Sequence, residues 1–303
     1  MVSPRVIILR TAGTNCDQET RYAFERVGAT VDLIHINRLV ETRVALHAYH
    51  GLVLPGGFSY GDDVAAGRIL ATELRHRLGG ELLRFVEEGK LVLGICNGFQ
   101  VLVKMGLLPG LSILASAKDT KQKRKTARRA RAKATTGGGG EDLEDAGAEP
   151  VSPMPPIPQD YTVTYNDSGK FEDRWVHLKI CSQMSEFIKE GDHFYLPVAH
   201  GEGKFVARDS AALQALEDAG QVVLRYADRS GRPPEYPLNP NGSVNGIAGI
   251  CDPTGRVFGL MPHPERHVHP THHPRWTREG LEEHPDGLSI FENAVRYIKK
   301  TLL

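Results

Sequence analysis

The sequence has few cysteines, no long apolar run and no excess of either charge. Its four cysteines are widely spaced over 303 residues and no two form a CxxC pair, so a disulfide scaffold is not expected. The opening segment has an apolar run of only four residues, Val6 to Leu9, too short for a signal peptide or a membrane span. Lysine plus arginine and aspartate plus glutamate both number 37. We therefore expect a cytoplasmic protein without a membrane partner, and the balanced charge gives no reason to expect nucleic acid.

Strand-like and helix-like segments alternate through the first hundred residues. The segments "RVIILR", "TVDLIHI", "GLVLPGG" and "LVLGI" are apolar, and helix-like stretches lie among them, the first with Thr14 or Asn15 as its expected N-cap. Further strand-like segments follow residue 158, and the amphipathic "LSIFENAVRYIKKTLL" closes the chain. The pattern predicts an α/β fold over residues 1–303, with a largely parallel central sheet flanked by helices. In such sheets, functional loops follow the carboxyl ends of the strands.

Residues 118–158 interrupt this pattern. The stretch "KDTKQKRKTARRARAK" has nine lysines or arginines against one aspartate, and glycine-rich, acidic and proline-rich stretches follow it. With so few large apolar residues, the segment has little to offset its ordering entropy. We predict a disordered insertion that is a solvated loop, although the basic run could instead bind nucleic acid or fold back on the acidic run.

The segment "LVLGICNGFQVLVKMG" places one cysteine where a strand meets a helix. Cys96 follows the apolar strand, glycines flank it at Gly94 and Gly98, and helical spacing resumes at Phe99. A nucleophile between two such glycines, on a strand-to-helix turn, forms a nucleophile elbow. The helix dipole would favour the reactive thiolate there. The alternative is a buried thiol at the end of a strand, as most cysteines in reduced proteins are.

A nucleophilic cysteine needs a base and an acidic group that orients the base. Two segments qualify, His200-Gly201-Glu202 and His263-Pro264-Glu265, because each follows a strand and residues two apart in extended backbone project to one side. Pro264 favours an extended His263, which supports the second segment without excluding the first.

Backbone donors for an oxyanion hole are expected at the Gly56-Gly57 turn and at Asn97, directly after the cysteine. The late histidines, His263, His267, His269, His272 and His273, raise the possibility of zinc, but prolines interrupt them and no cysteine accompanies them. We expect no metal site there, and interpret the segment as a solvated or partner-facing loop. Asp62 and Asp63 are interpreted as caps of the following helix.

Five segments in order, "PGGFSYGDD", "GICNGFQVL", "NDSGKFEDRWV", "PVAHGEGKF" and "MPHPER", together resemble the glutaminase subunits of phosphoribosylformylglycinamidine synthase. These are class I, triad-type glutamine amidotransferases with a flavodoxin-like fold. The opening "GTNCDQET" is similar as well. The resemblance covers nearly the whole chain apart from residues 118–158 and the lengthened stretch after Arg266.

The resemblance implies roles for individual residues. It implies Cys96 as the nucleophile, His263 as general base and acid, and Glu265 as the group that orients it. It further implies an oxyanion hole at the backbone of Gly57 and Asn97, and a loop beside the site that carries His200 and Glu202. Contacts to the amino-acid part of the substrate are implied for Gln100, Asn166, Asp167 and Ser168.

The resemblance also implies the partners. Glutamine is the substrate, and ammonia passes to a synthetase subunit that uses ATP and Mg²⁺ to convert an amide to an amidine in purine biosynthesis. In many members a small third subunit completes the complex. This chain shows no GxxxxGK[ST] phosphate loop, so no cofactor is expected in it. A thiol hydrolase of another amide, or a binding or redox module with an inert Cys96, are the alternatives.

Overall fold

The structure is a computed structural model of the chain. It describes residues 2–41, 46–110, 154, 158–233, 235–281 and 283–303. Most of the predicted insertion at residues 118–158 lies outside the described residues, so its disorder and the single-domain assignment stay predictions. Met154 is described, and it is buried against Gly79.

Eleven strands occur in the described part of the chain. Nine of them form one sheet, in the order β2-β1-β3-β4-β11-β10-β9-β6-β7, and β5 pairs with β8 in a separate two-stranded sheet. The strands are β1 (Arg5–Arg10), β2 (Thr30–His35), β3 (Gly51–Leu54), β4 (Leu91–Ile95), β5 (Tyr161–Tyr165), β6 (Glu172–Ile180), β7 (His193–His200), β8 (Glu202–Ala207), β9 (Val222–Ala227), β10 (Ile247–Cys251) and β11 (Val257–Leu260).

The large sheet has two halves with different pairing. The strands β2, β1, β3, β4 and β11 pair in parallel. From β11 onward, through β10, β9, β6 and β7, every pairing is antiparallel. The predicted α/β class and parallel sheet are confirmed, with the parallel arrangement confined to one half. The central strands β3, β4 and β11 are buried at every position, as expected for strands covered on both faces.

Aromatic pairs join several of the elements. Helix α1 contacts α8 through an edge-to-face pair of Phe24 and Phe291, whose ring centroids are 5.0 Å apart. Helix α5 packs against β8 through Phe99 and Phe205, which stack at 6.3 Å. The helices are α1 (Asp17–Arg26), α2 (Ile36–Glu41), α3 (Arg68–Arg77), α4 (Gly79–Glu87), α5 (Asn97–Met105), α6 (Ser210–Asp218), α7 (Trp276–Glu279) and α8 (Leu288–Thr301).

Two expectations about helix ends are corrected. Neither Thr14 nor Asn15 caps α1, which begins directly after Cys16 without a side-chain cap. The backbone N–H of Cys16 is instead bonded to the carbonyl of Gly56 at 3.2 Å, so this turn is tied to the loop after β3. Neither Asp62 nor Asp63 is the N-cap residue of α3, because Gly67 holds that position. The Asp62 carboxylate accepts from the Gly67 N–H at 3.2 Å and also reaches Asn97.

Register brings the carboxyl ends of the parallel strands level with one another. Leu54 of β3 pairs with Gly94 of β4, and Leu260 of β11 pairs with Ile95. The segments that follow these three strands therefore leave the sheet at one edge. They carry the glycine turn, Cys96 and His263, so the functional residues predicted from separate parts of the sequence share this edge. Within the described residues, no helix is both long and apolar enough to cross a membrane.

Candidate active site

Cys96 occupies the turn between β4 and α5. Its backbone has a φ of 51°, in the left-handed region, and the helix begins with the next residue. Non-glycine residues rarely adopt this conformation, and those that do cluster at functional sites. The backbone N–H of Cys96 is bonded to the carbonyl of Leu260 in β11 at 2.8 Å. The predicted strand–cysteine–helix turn is therefore present, and the neighbouring strand fixes it.

Gly98 explains why a glycine follows the cysteine by two residues. A Cβ atom at this position would collide with the backbone carbonyl of Leu54 in β3. The missing side chain lets the first turn of α5 lie directly against the end of that strand. Eight of the nine residues of α5 are buried, so the helix that follows Cys96 is enclosed by the core. Such packing limits its movement.

His263 and Glu265 form a buried hydrogen-bonded pair. Nδ1 of His263 donates to Oε1 of Glu265 over 2.6 Å, and both residues are 2% exposed. The predicted pairing holds, but the extended geometry expected for it is wrong. Residues Pro264–Arg266 form a 3₁₀ turn, and this turn brings the carboxylate back to the ring. The backbone N–H of His263 is bonded to the carbonyl of Pro197 in β7 at 2.8 Å, which anchors the segment.

The surroundings of His263 favour its protonated form. Burial alone would lower the pKa of His263, but the Glu265 carboxylate and the Cys96 thiol outweigh burial and hold it well above the ordinary value. Among the described residues, Nε2 of His263 has no hydrogen-bond partner. With Nδ1 committed to Glu265, Nε2 is the atom left to exchange a proton with Cys96.

The two residues predicted to form an oxyanion hole, Gly57 and Asn97, both lie in the turns that follow parallel strands, and their role stays a prediction. Asn97 is the first residue of α5, so its N–H has no partner within the helix. Gly57 follows β3 with a φ of 142°, and a Cβ there would lie 2.8 Å from the carbonyl oxygen of Gly13. Only glycine fits this turn, which is held against the segment before α1 by a bridge between Gly57 and Thr14.

The competing His200-Gly201-Glu202 segment has a different arrangement. Nδ1 of His200 contacts Oδ1 of Asn166 at 3.1 Å, and Nε2 faces the amide of Asn241 at 3.5 Å. Oε1 of Glu202 accepts from the backbone N–H of Ala66 at 3.1 Å, so it does not orient His200. Complete burial lowers the pKa of His200 to about 3, which keeps it neutral. This histidine links loops and is not paired with a carboxylate.

The end of β7 nevertheless reaches Cys96. The sulfur of Cys96 lies 3.7 Å from the carbonyl oxygen of Ala199. Gln100, one turn beyond Cys96 on α5, donates to the backbone carbonyl of Glu202 and accepts from Asn97 at 3.2 Å. The loop predicted to lie beside the site therefore contacts both the thiol and the first turn of α5.

Besides Gln100, the other three residues predicted to contact substrate are also bonded within the protein. Asn166 is buried and donates to the carbonyl of His200 at 2.8 Å. Asp167 pairs with Lys204 at 2.6 Å, and Ser168 donates to a carboxylate of β6 at 2.6 Å. Asn166 thus supports the end of β7, which contacts Cys96. The bonds of Asp167 and Ser168 fix the loop to which Asn166 belongs. Their contact with substrate stays a prediction.

The sequence reasoning gave no role to Cys16, which the structure places in this cluster. Its sulfur, a ring nitrogen of His263 and a carboxylate oxygen of Glu265 lie within 4.8 Å of one another. In the described part of the chain this is the one group of such side chains close enough to hold a metal ion. Nη2 of Arg266 lies 3.2 Å from the same sulfur, and a guanidinium there opposes a cation. We interpret the group as part of the catalytic cluster.

The late histidines are partly inside the fold, which corrects the expectation of a solvated loop. His267 and His273 are buried, and both pack against Trp175, with ring centroids at 5.1 and 6.1 Å. His273 also lies 5.4 Å from the ring of Tyr195. The lengthened segment thus covers aromatic residues of β6 and β7. Exposed residues of the segment include Thr271 and His272, Pro274, and the run from Trp276 to Leu281.

The chain is similar to known proteins over nearly its whole length. A family model described as a CobB/CobQ-like glutamine amidotransferase domain matches residues 3–135 and 154–298. The chain is 41% identical over 302 residues to phosphoribosylformylglycinamidine synthase subunit PurQ of Dehalococcoides mccartyi, covering 99% of this chain and 100% of the relative. It is 36% identical over 313 residues to the PurQ subunit of Methanococcus maripaludis, covering 99% of each. A chain in a solved structure of PurLQS from Thermotoga maritima is 28% identical with a TM-score of 0.64, covering 98% of this chain and 100% of that one.

Proposed function

Because the chain belongs to the family of PurQ subunits of phosphoribosylformylglycinamidine synthase, we propose that it is the glutaminase of such an enzyme. It hydrolyses glutamine to glutamate and ammonia, and the ammonia goes to a synthetase subunit. The observation that carries the proposal for the site is the buried Nδ1 to Oε1 hydrogen bond of His263 and Glu265, beside a cysteine on a strained turn. A nucleophile, a base and an orienting carboxylate are the parts that thiol acyl transfer requires.

The mechanism follows from these parts. Proton transfer to Nε2 of His263 gives the Cys96 thiolate, which attacks the side-chain carboxamide carbon of glutamine. The N–H groups of Asn97 and Gly57 stabilise the resulting oxyanion. The imidazolium of His263 then protonates the leaving nitrogen, ammonia departs, and a γ-glutamyl thioester remains on Cys96. Neutral His263 takes a proton from water, and the hydroxide cleaves the thioester to release glutamate and the thiol.

Glu265 has two functions in this scheme. It accepts the Nδ1–H of His263, which leaves Nε2 as the nitrogen that exchanges protons, and it stabilises the imidazolium that forms in each half-reaction. The raised pKa of His263 fits a group that must stay protonated until ammonia leaves. Gln100, Asn166, Asp167 and Ser168 are proposed to recognise the amino-acid part of glutamine, and His200 with Glu202 to shape the adjoining loop.

The partners are proposed from the relatives. The matched solved structure is named for a PurLQS assembly, which supports a synthetase partner and a small third subunit. ATP and Mg²⁺ are assigned to the synthetase, and no cofactor is assigned to this chain. The cytoplasmic location expected from the sequence is kept as part of the proposal.

The test is covalent labelling by a glutamine-like diazo-ketone, with the adduct mapped by peptide mass spectrometry. We expect alkylation at Cys96 that excess glutamine blocks, because the reagent occupies the same site and the same thiolate attacks it. Cys181→Ser serves as the control, since Cys181 is the exposed thiol among the four cysteines. Labelling that spreads over several cysteines, or that glutamine leaves unchanged, would overturn the proposal.

A further inference from the structure

Cys16 is a second buried thiol at the catalytic cluster, and the mechanism above does not use it. It is the last residue before α1, and it is 2% exposed. Its sulfur lies on the side of the cluster formed by His263 and Glu265, within 4.8 Å of a nitrogen or oxygen of each. Burial raises the pKa of this thiol, although contact with His263 opposes the rise. It is therefore a neutral group at neutral pH and not a second nucleophile.

The position of the sulfur is fixed by contacts from three segments. Nη2 of Arg266 donates to it at 3.2 Å, and the sulfur lies 3.3 Å from Oδ1 of Asn15. The backbone N–H of Cys16 is bonded to Gly56. Arg266 is held in turn by Glu19 on α1 at 3.5 Å. These contacts join the start of α1, the loop after β3 and the turn that carries Glu265.

Gly56 shows how closely the thiol and the imidazole approach. A Cβ atom at Gly56 would lie 2.7 Å from Cε1 of His263 and 3.1 Å from the sulfur of Cys16. Both distances are below normal van der Waals contact, so the absence of a side chain there makes room for the ring and the thiol together. The ring of His263 is bounded on this side by the Gly56 backbone and the Cys16 sulfur.

We propose that Cys16 is a positioning residue, which holds the imidazole of His263 against Glu265 so that Nε2 faces Cys96. The proposal rests on the proposed glutaminase function and adds a third contact to the base. The ionisable and charged groups around His263 are Glu265 and Arg266 from its own turn, Cys96 from the start of α5, Cys16 before α1 and His200 from β7. Of these, Glu265, Cys96 and Cys16 raise the pKa of His263 against the opposing effect of burial.

The experiment compares Cys16→Ala, Cys16→Ser and the matched control Cys251→Ala in the full chain. Cys251 is a buried thiol in β10, so its replacement removes the same atoms from the core away from the cluster. The measurement is the rate of diazo-ketone labelling at Cys96 as a function of pH, with thermal unfolding recorded for each variant.

We expect Cys16→Ala to slow labelling at neutral pH by about 10-fold, since small misplacements of catalytic groups cost up to about 10²-fold. The midpoint of the labelling rate against pH should move upward. Without the contact the pKa of His263 falls, so a smaller fraction of imidazolium is present to stabilise the Cys96 thiolate. Cys16→Ser keeps a polar atom and should recover most of the rate. Cys251→Ala should unfold at a lower temperature with the labelling profile of the wild type.

The outcomes separate this proposal from the proposed function. If wild type labels at Cys96 but Cys16→Ala has the same rate and midpoint, Cys16 does not position the base. Equal loss in Cys16→Ala and Cys251→Ala, with unchanged midpoints, would show a structural effect and also overturn it. If the wild type does not label at Cys96 at all, the proposed function fails and the role of Cys16 falls with it.

Discussion

The chain contains two His-x-Glu segments after strands, and they differ in almost every physical respect. In the first, His200 is neutral, bonds two asparagine side chains, and has no contact with Glu202. In the second, His263 bonds Glu265 at 2.6 Å and its pKa is raised above the ordinary value. Both histidines are buried to a similar degree, at 3% and 2% exposure. Burial therefore does not distinguish a base from a structural histidine, whereas a carboxylate partner does.

The backbone between the two residues explains the difference. After Pro264 the chain turns into a 3₁₀ conformation, which brings Glu265 back to the ring. After Gly201 the chain enters β8, and the Glu202 side chain reaches the backbone of Ala66 instead. A buried neutral histidine suits a hydrogen-bond network, and a carboxylate-paired histidine suits proton transfer. The substitutions below test this comparison.

His263→Gln should have the largest effect. It removes the only proton carrier we assign to the cluster, so glutamate release should fall by about 10² to 10⁴-fold. The measurement is glutamate production by the assembled synthetase complex at saturating glutamine. His200→Gln is the matched variant, and a comparable loss there would mean that the two segments have been assigned the wrong way round.

Glu265→Gln should have the next largest effect, of about 10²-fold on glutamate release, within the range for groups that act through a general base. The amide still fills the space but no longer stabilises the imidazolium, so the pKa of His263 falls. The alkaline limb of the activity profile should then move to lower pH, because the acid that protonates ammonia is lost earlier. If the alkaline limb of the variant's activity profile stays at the pH of the wild type, Glu265 does not act through His263.

His200→Ala should reduce stability more than chemistry. It leaves the polar side chains of Asn166 and Asn241 without their buried partner, which costs about 1–3 kcal/mol of unfolding free energy. Chemical denaturation of wild type and variant measures the difference. Unchanged stability together with lost glutaminase activity would contradict the structural role.

The protonation of His200 also gives a pH effect with a definite sign. Its pKa in the folded protein, about 3, lies below its ordinary value of 6.5. The unfolded chain therefore takes up a proton first, and stability falls as pH drops from 6.5 towards 3, by at most about 1.4 kcal/mol per pH unit. His200→Gln should make the unfolding free energy less dependent on pH over that range, whereas His76→Gln, at an exposed position of α3, should not.

Glu202→Gln should have the smallest effect. An amide oxygen can still accept from the N–H of Ala66, so we expect a change in unfolding free energy within about 0.5 kcal/mol. Glutamate release should stay near that of the wild type. A loss as large as that of Glu265→Gln would remove the distinction between the two carboxylates.

Much of the fold was predictable because the buried strands β3, β4 and β11 are apolar throughout, and such runs indicate a covered parallel sheet. The strand–cysteine–helix turn was predictable from Gly94, Cys96 and Gly98, because a turn of this kind depends on residues that are adjacent in sequence. The reasoning missed β5 and β8, which form a separate sheet through pairing between distant segments. It also identified Glu265 from an extended geometry that the chain does not adopt.

Cys16 shows what local patterns leave out. It lies 250 residues from Arg266 in sequence, and no spacing rule links the two. Its place beside His263 depends on the bridge and hydrogen bond that tie the segment before α1 to the glycine turn after β3. The same holds for the buried histidines after Arg266, whose packing on Trp175 follows from tertiary contacts alone.

The most direct test of the account is to detect the γ-glutamyl thioester with glutamine itself. Wild type, His263→Gln and His200→Gln would be mixed with glutamine, quenched in acid, and measured by intact and peptide mass spectrometry. The account predicts a glutamine-dependent adduct at Cys96 in wild type and in His200→Gln, and none in His263→Gln on the same timescale. An adduct that requires His200 and forms without His263, or glutamate release by a Cys96→Ala variant, would contradict it.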